Sequence, residues 1–182
     1  MILRFFDEIS SDNTKNQVWN LLCACDNEFY PSLSSRENTS QSQLNSHDHK
    51  NKKPFSYFSS LLEQCFICAY DDENMIGFLS FIPKYSSDIY RDIGLSNYVS
   101  TICVDTKYRG LGITYKLYDF LFSKIPNQYC LSYVTTRTWS LNDYHIKALH
   151  KMRFVIHATL KNHRGQGIDT VYFKKKIDFT DN

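Results

Sequence analysis

Apolar and polar positions alternate along the chain with two periods, and the switches between them mark out an α/β series. Residues 2–9 resemble a first strand. From Thr14 to Phe29 the apolar positions Val18, Leu21, Leu22, Cys25 and Phe29 follow helical spacing. Pro31 to Pro54 is rich in Ser, Asn, Gln, Lys and His and poor in apolar residues, so it reads as a long loop, placed as a flap over a binding site. Residues 56–64 predict a short second helix. Strands over 65–70 and 75–83, joined by Asp71-Asp72-Glu73-Asn74, give a hairpin signal. Residues 98–104 are apolar or small on both faces, as in a central strand covered on each side. A turn over 105–112 leads into a helix over 113–125 with the stripe Ile113, Leu117, Phe120, Leu121 and Ile125, stopped by Pro126. A strand over 129–136 follows. The next helix runs to about Met152, with Ser140 as its expected N-cap and Asp143 completing a capping box. Strands over 154–160 and 170–176 close the chain.

Within this series one stretch carries specific chemistry. The strand ending Ile102-Cys103-Val104 runs through Asp105-Thr106-Lys107-Tyr108 into Arg109-Gly110-Leu111-Gly112-Ile113-Thr114-Tyr115, which opens the amphipathic helix. A glycine-bearing turn at a helix N-terminus aims several backbone N–H groups at one spot, with the positive end of the helix dipole behind them. Glycine lets the backbone come close to a polyanion. Lys107, Arg109 and Lys116 add positive charge, so the turn reads as an anion site, and phosphate is the natural ligand. A Walker loop is absent, and Gly110-Leu111-Gly112 lacks the third glycine of a dinucleotide fingerprint.

The turn resembles motif A of the GNAT N-acetyltransferases, Arg/Gln-x-x-Gly-x-Gly/Ala, carried here by Arg109 to Thr114, with Thr114 where Gly or Ala is usual. The order of elements resembles that family over most of the chain. The resemblance implies an α+β (three-layer α/β) GNAT fold across residues 1–182. Its central sheet would be mixed but mostly antiparallel, with six to seven strands and about four helices, and its fourth and fifth strands would splay apart. It implies acetyl-CoA as co-substrate. The N–H groups of Arg109, Gly110, Leu111, Gly112, Ile113, Thr114 and Tyr115 would hold the pyrophosphate, and the backbone of Ile102, Cys103 and Val104 the pantetheine arm. It further implies direct transfer to an amine within a ternary complex, in which proximity supplies much of the rate.

Many relatives carry Asn-x-x-Ala-x-x-Leu-Tyr-x-x-x-Gly-Phe on the later helix, the Tyr protonating the thiolate. Here Asn142, Ala148 and Phe154 fit that pattern. His145 replaces the Ala, Leu149 falls at the Tyr, and Arg153 replaces the Gly. Asn142, His145 and Leu149 share one helical face. If Asn142 faces the cofactor so does His145, which becomes the candidate to donate to, or orient, the sulfur. Asp169, in the loop between the last two strands, is the candidate base; turn capping is its other reading. Trp139 and Tyr133 are candidates to line the acceptor pocket.

Composition changes this picture little. Hydrophobic content of 42%, charged content of 22% and a net charge of +2 describe an ordinary globular chain with no charge-driven pull toward nucleic acid. No apolar run is long enough to span a bilayer, and residues 1–10 do not read as a signal peptide, so the expectation is a cytoplasmic protein without a membrane partner. The six cysteines are expected to be reduced and mostly buried. Cys65 and Cys68 face opposite ways in a strand, and Cys23 and Cys25 do so on a helix, so no metal site is expected. His47-Asp48-His49 is read as solvated loop. The acceptor is expected to be an amine of a small molecule or peptide. The alternatives are a protein N-terminal or lysine acetyltransferase, or a non-catalytic acyl-CoA-binding or interaction module. Monomer and homodimer both remain open, and residues 177–182 are read as a tail.

Overall fold

The fold is taken from a computed structural model that describes residues 1–44 and 53–178. Its centre is a seven-stranded sheet built from β1 (Ile2–Phe6), β2 (Cys65–Asp71), β3 (Asn74–Tyr85), β4 (Ser96–Val104), β5 (Tyr133–Trp139), β6 (Val155–Leu160) and β7 (Thr170–Lys176). The order across the sheet is β1-β2-β3-β4-β5-β7-β6, and only β4 and β5 run parallel.

Side chains alternate between the two faces of a strand, and each face buries its own layer. On one side Val18, Leu21, Leu22 and Cys25 of α1 (Asp12–Cys25) and Tyr57 and Leu61 of α2 (Phe55–Leu61) pack on Phe66, Cys68, Phe78 and Cys103. On the other, Ile113, Leu117, Tyr118 and Leu121 of α3 (Ile113–Ser123) and Leu149 of α4 (Asp143–Lys151) cover Cys65, Ile67, Leu79, Val99, Val134 and Phe173. Cys65 and Cys68 thus point to opposite layers, as their spacing predicts. The described cysteines are all free thiols.

The element order agrees with the sequence reading, and the boundaries differ where local chemistry intervenes. β1 stops at Phe6 because Asp7 and Glu8 turn the chain; Ile9 is buried beneath α1 instead. α1 starts at Asp12 because Ser11 caps it, its side chain accepting from Thr14 N at 3.4 Å. β5 begins at Tyr133 rather than Tyr129, since Tyr129 N bonds back to Pro126 O in a single turn. The Tyr129 ring packs against Phe5, with centroids 5.3 Å apart. The expected Ser140 cap is incorrect. Asn142 is the N-cap of α4, accepting from His145 N at 3.4 Å, while Ser140 Oγ accepts from Asp169 N at 3.0 Å and ties two loops together.

The described part of the polar segment after α1 is well packed. Leu33 and Leu44 are buried, and Gln64 Nε2 donates to Thr39 Oγ1 at 2.6 Å. The His47-Asp48-His49 triplet and part of the tail lie outside the described residues. No helix among the described residues is long and apolar enough to cross a membrane.

Candidate active site

β4 and β5 pair only over Asn97–Val99 and Val134–Thr136. Beyond that point they diverge, so the edge of β4 over residues 100–104 has no strand beside it on the β5 side. β5 remains paired to β7 as far as Trp139 and Thr170. The gap opens into a cavity of about 950 Å³.

The glycine turn closes one end of this cavity. Asp105 accepts from Lys107 N at 2.9 Å and starts a single helical turn, after which Gly110 and Gly112 take φ values of 77° and 75°. These left-handed conformations strongly favour glycine. Gly112 is the N-cap of α3, and no side chain caps the helix. The N–H groups of Ile113, Thr114 and Tyr115 are therefore left without intrahelical acceptors at the positive end of the helix. A Cβ on either glycine would meet nothing within 4 Å, so their role is backbone conformation rather than close packing. Gly110, Gly112, Ile113, Thr114 and Tyr115 line the cavity, as do Ile102, Cys103, Val104, Arg109, Asn142 and His145. Leu111, whose backbone is expected to help, has a side chain that projects to solvent.

The Arg109 side chain is not free for an anion. Its Nη2 donates to Glu28 at 2.7 and 2.8 Å, and its Nε to Val104 O at 3.2 Å. Lys107 and Lys116 do not line the cavity. The donors this corner leaves unpaired are thus backbone amides rather than the cationic side chains that the sequence suggests.

α4 brings Asn142 and His145 to the cavity while Leu149, fully buried, joins the core beneath α3. Asn142 Nδ2 donates to Thr138 Oγ1 at 3.1 Å and fixes the start of the helix. His145 Nε2 lies 3.5 Å from the Tyr118 hydroxyl. Burial lowers its pKa to about 4, so the ring is neutral at physiological pH. Asp169 is not among the cavity-lining residues. Its carboxylate accepts from Lys161 Nζ at 2.8 Å and Asn162 N at 2.9 Å, which is the turn-capping alternative. Trp139 lines the cavity and Tyr133 does not.

Sequence reasoning misses three arginines of the lining. Arg36, Arg137 and Arg164 all line the cavity, with Phe29, Thr39, Tyr98 and Trp139. Arg36 and Arg164 are 7% and 2% exposed. They come from the polar segment, β5 and the β6–β7 loop. No local spacing announces a cluster assembled from three distant parts of the chain. Among the described residues, no group of three His, Cys, Asp or Glu side chains is placed to hold a metal ion.

A splayed parallel pair, open toward an uncapped helix N-terminus behind a glycine turn, places an unpaired strand edge and free helix amides in one cavity, the arrangement expected of an acyltransferase fold. Residues 17–154, well over half the chain, match the model of the Acetyltransferase (GNAT) family, and the chain belongs to that family. No curated protein matches the sequence. Similar solved structures include the aminoglycoside 6'-N-acetyltransferase from Enterococcus faecium (15% identity, TM-score 0.68) and an aminoglycoside 6'-acetyltransferase type Ii (17%, 0.70). A third is an aminoglycoside 6'-N-acetyltransferase complexed with coenzyme A (15%, 0.69). Each covers 100% of both chains, and the likeness is one of fold.

Proposed function

We propose that this acetyltransferase moves an acetyl group from acetyl-CoA directly to the amine of a small molecule. The observation that carries the reading is the gap between β4 and β5, which joins the uncapped N-terminus of α3 to Asn142 and His145 in one continuous cavity. The amides of residues 110–115 are suited to a pyrophosphate, whereas that of Arg109, also expected to help, donates to Thr106 O at 3.4 Å; the unpaired edge of β4 at Ile102–Val104 suits the amide groups of a pantetheine arm. The carrier supplies the activated acyl group; the chain supplies position. A backbone N–H on that edge serves as an oxyanion donor.

His145 is neutral and takes the place of the missing tyrosine as a hydrogen-bond donor at the reacting end, with the Tyr118 hydroxyl beside it. Glu28 is the only carboxylate among the described lining residues, and Arg109 holds it. No side chain is assigned as base, and the amine loses its proton to solvent. The aminoglycoside enzymes among the structural neighbours act on small-molecule amines, which supports that acceptor size and leaves its identity to this chain's own residues.

Thiol release from acetyl-CoA, followed against a panel of amines, tests the reading. Amine-dependent release that falls about tenfold or more in His145→Ala is expected. The buried Leu149 at the family's tyrosine position favours a second reading, a carrier-binding module without turnover. Tight acetyl-CoA binding with no amine-dependent release would select it.

A further inference from the structure

The wall facing the cofactor half of the cavity carries three guanidinium groups. Val134 packs in the α3–α4 layer, so the alternation of β5 puts Arg137, with Thr135, on the α1–α2 side of the sheet. Arg36 and Arg164 are buried side chains of loops lining the same cavity. Their internal partners are all neutral. Arg36 donates to Pro31 O from Nε and Nη2 at 3.1 and 2.7 Å. Arg137 donates to Gln41 O at 2.7 Å. Arg164 donates to Thr170 Oγ1 at 3.0 Å and to Tyr30 O.

Among the described residues none of the three makes a salt bridge. Among the described residues the nearest carboxylates make no ion pair with the three: Asp26 accepts from Ser34 N at 2.7 Å and is only the least of the charges acting on Arg36, and Glu28 is held by Arg109. Burial pushes Tyr57 up and Tyr98 to about 12, so neither phenol carries charge near neutral pH; Arg137 alone of the three is shifted upward, its burial outweighed by Tyr98 and Tyr172 beside it. Burial, and then the neighbouring arginines, lower the pKa of Arg164 to about 9; Arg36 moves the same way, with burial first and Arg137 among the lesser causes. Each guanidinium has five N–H donors, and the carbonyls and hydroxyl use only some of them. Like charges gathered in a largely buried wall, with no counter-ion among the described residues, are costly unless a ligand brings one.

We infer that the acceptor amine carries an oxyanion group, carboxylate or phosphate, which Arg36, Arg137 and Arg164 bind on the α1–α2 side of the cavity. Planar guanidinium forks match both groups. This rests on the acetyl-transfer reading and narrows it to amino acids, amino-sugar phosphates and molecules of like chemistry. The anion turns the acceptor so that its amine points through the gap toward the thioester. A purely cationic amine would meet this wall with like charge.

The test saturates the protein with CoA, so that the backbone anion site is filled, and then titrates inorganic phosphate and malonate separately by calorimetry. Binding of at least one probe is expected, weakened about tenfold or more in Arg164→Gln and in Arg36→Gln. CoA affinity should stay within about twofold, showing that the variants are folded. Should those buried substitutions prevent folding, Arg137→Gln, at a partly buried position, carries the same prediction. Turnover then separates the sources. Glutamate against its diamide and glucosamine 6-phosphate against glucosamine should each favour the anionic member, and the larger preference identifies carboxylate or phosphate. No anion binding to the CoA-loaded protein overturns the inference, as does an affinity that none of these substitutions moves. Failure of CoA itself to bind overturns the acetyl-transfer reading, and this inference with it.

Discussion

In the proposed function, the two halves of the cavity recognise their ligands by different means. The corner around Gly110 and Gly112 works through backbone: left-handed glycines, an uncapped helix and a strand edge without a neighbour. The wall opposite works through side chains, three arginines from three separate segments. Backbone recognition suits an invariant carrier, since its donors are fixed by the fold. Side-chain recognition suits an acceptor that differs from one relative to the next, since residues can change there without disturbing the sheet.

The largest effect expected from breaking this contrast is at Gly112. A valine there is forced to φ near 75° at the helix cap, which costs about 1–2 kcal/mol and displaces at least one amide from the anion. Acetyl-CoA affinity measured by calorimetry should fall about 100-fold in Gly112→Val. Anion binding at the arginine wall should be unaffected. A fall in both would mean that the halves are not separate.

Leu149→Tyr restores the family's usual residue at a position that is fully buried here. Overpacking of the α3–α4 layer should cost about 1–3 kcal/mol, seen as a melting temperature lower by about 2–12 °C. A variant that is as stable as the parent would show that the site has room for a phenol.

The histidine gives a pH test. His145 titrates near 4 in the folded chain and near its ordinary 6.5 when unfolded. The unfolded state therefore takes up the proton first as the solution is acidified. The stabilisation is complete above about 6.5 and is lost progressively as the pH falls toward about 4, on the order of 1–3 kcal/mol. Denaturant midpoints across that range should flatten in His145→Asn. The smallest effect is expected at Asp169: Asp169→Asn should leave turnover unchanged and barely move the denaturant midpoint, because its main partner, Lys161, is exposed.

The contrast also explains what the sequence could show. A backbone site leaves a local trace, because glycines, the preceding apolar strand and the following amphipathic stripe are contiguous from Tyr98 to Leu121. The two-layer core was legible for the same reason, through periods of 2 and 3.6. The splay of β4 from β5 followed only from the family resemblance, and the point after Val99 where it begins was not legible. Arg36, Arg137 and Arg164 were not legible at all. Arg36 sits in a segment whose composition reads as loop, and nothing near it in sequence hints that it folds inward. His145 was found through helical spacing from Asn142, whereas its neutrality depends on burial, which no spacing reveals. Asp169 looked available as a base because the Lys161 and Asn162 contacts that occupy it form only once the loop closes.

The central claim is that the amides of residues 110–115 hold the carrier's pyrophosphate. Calorimetry with acetyl-CoA and with acetyl-pantetheine, which keeps the thioester and strand-like arm and lacks the phosphates, tests it directly. Two or more charge-assisted hydrogen bonds at the turn predict that acetyl-CoA binds about 100-fold more tightly or better. Equal affinity for the two would contradict the account.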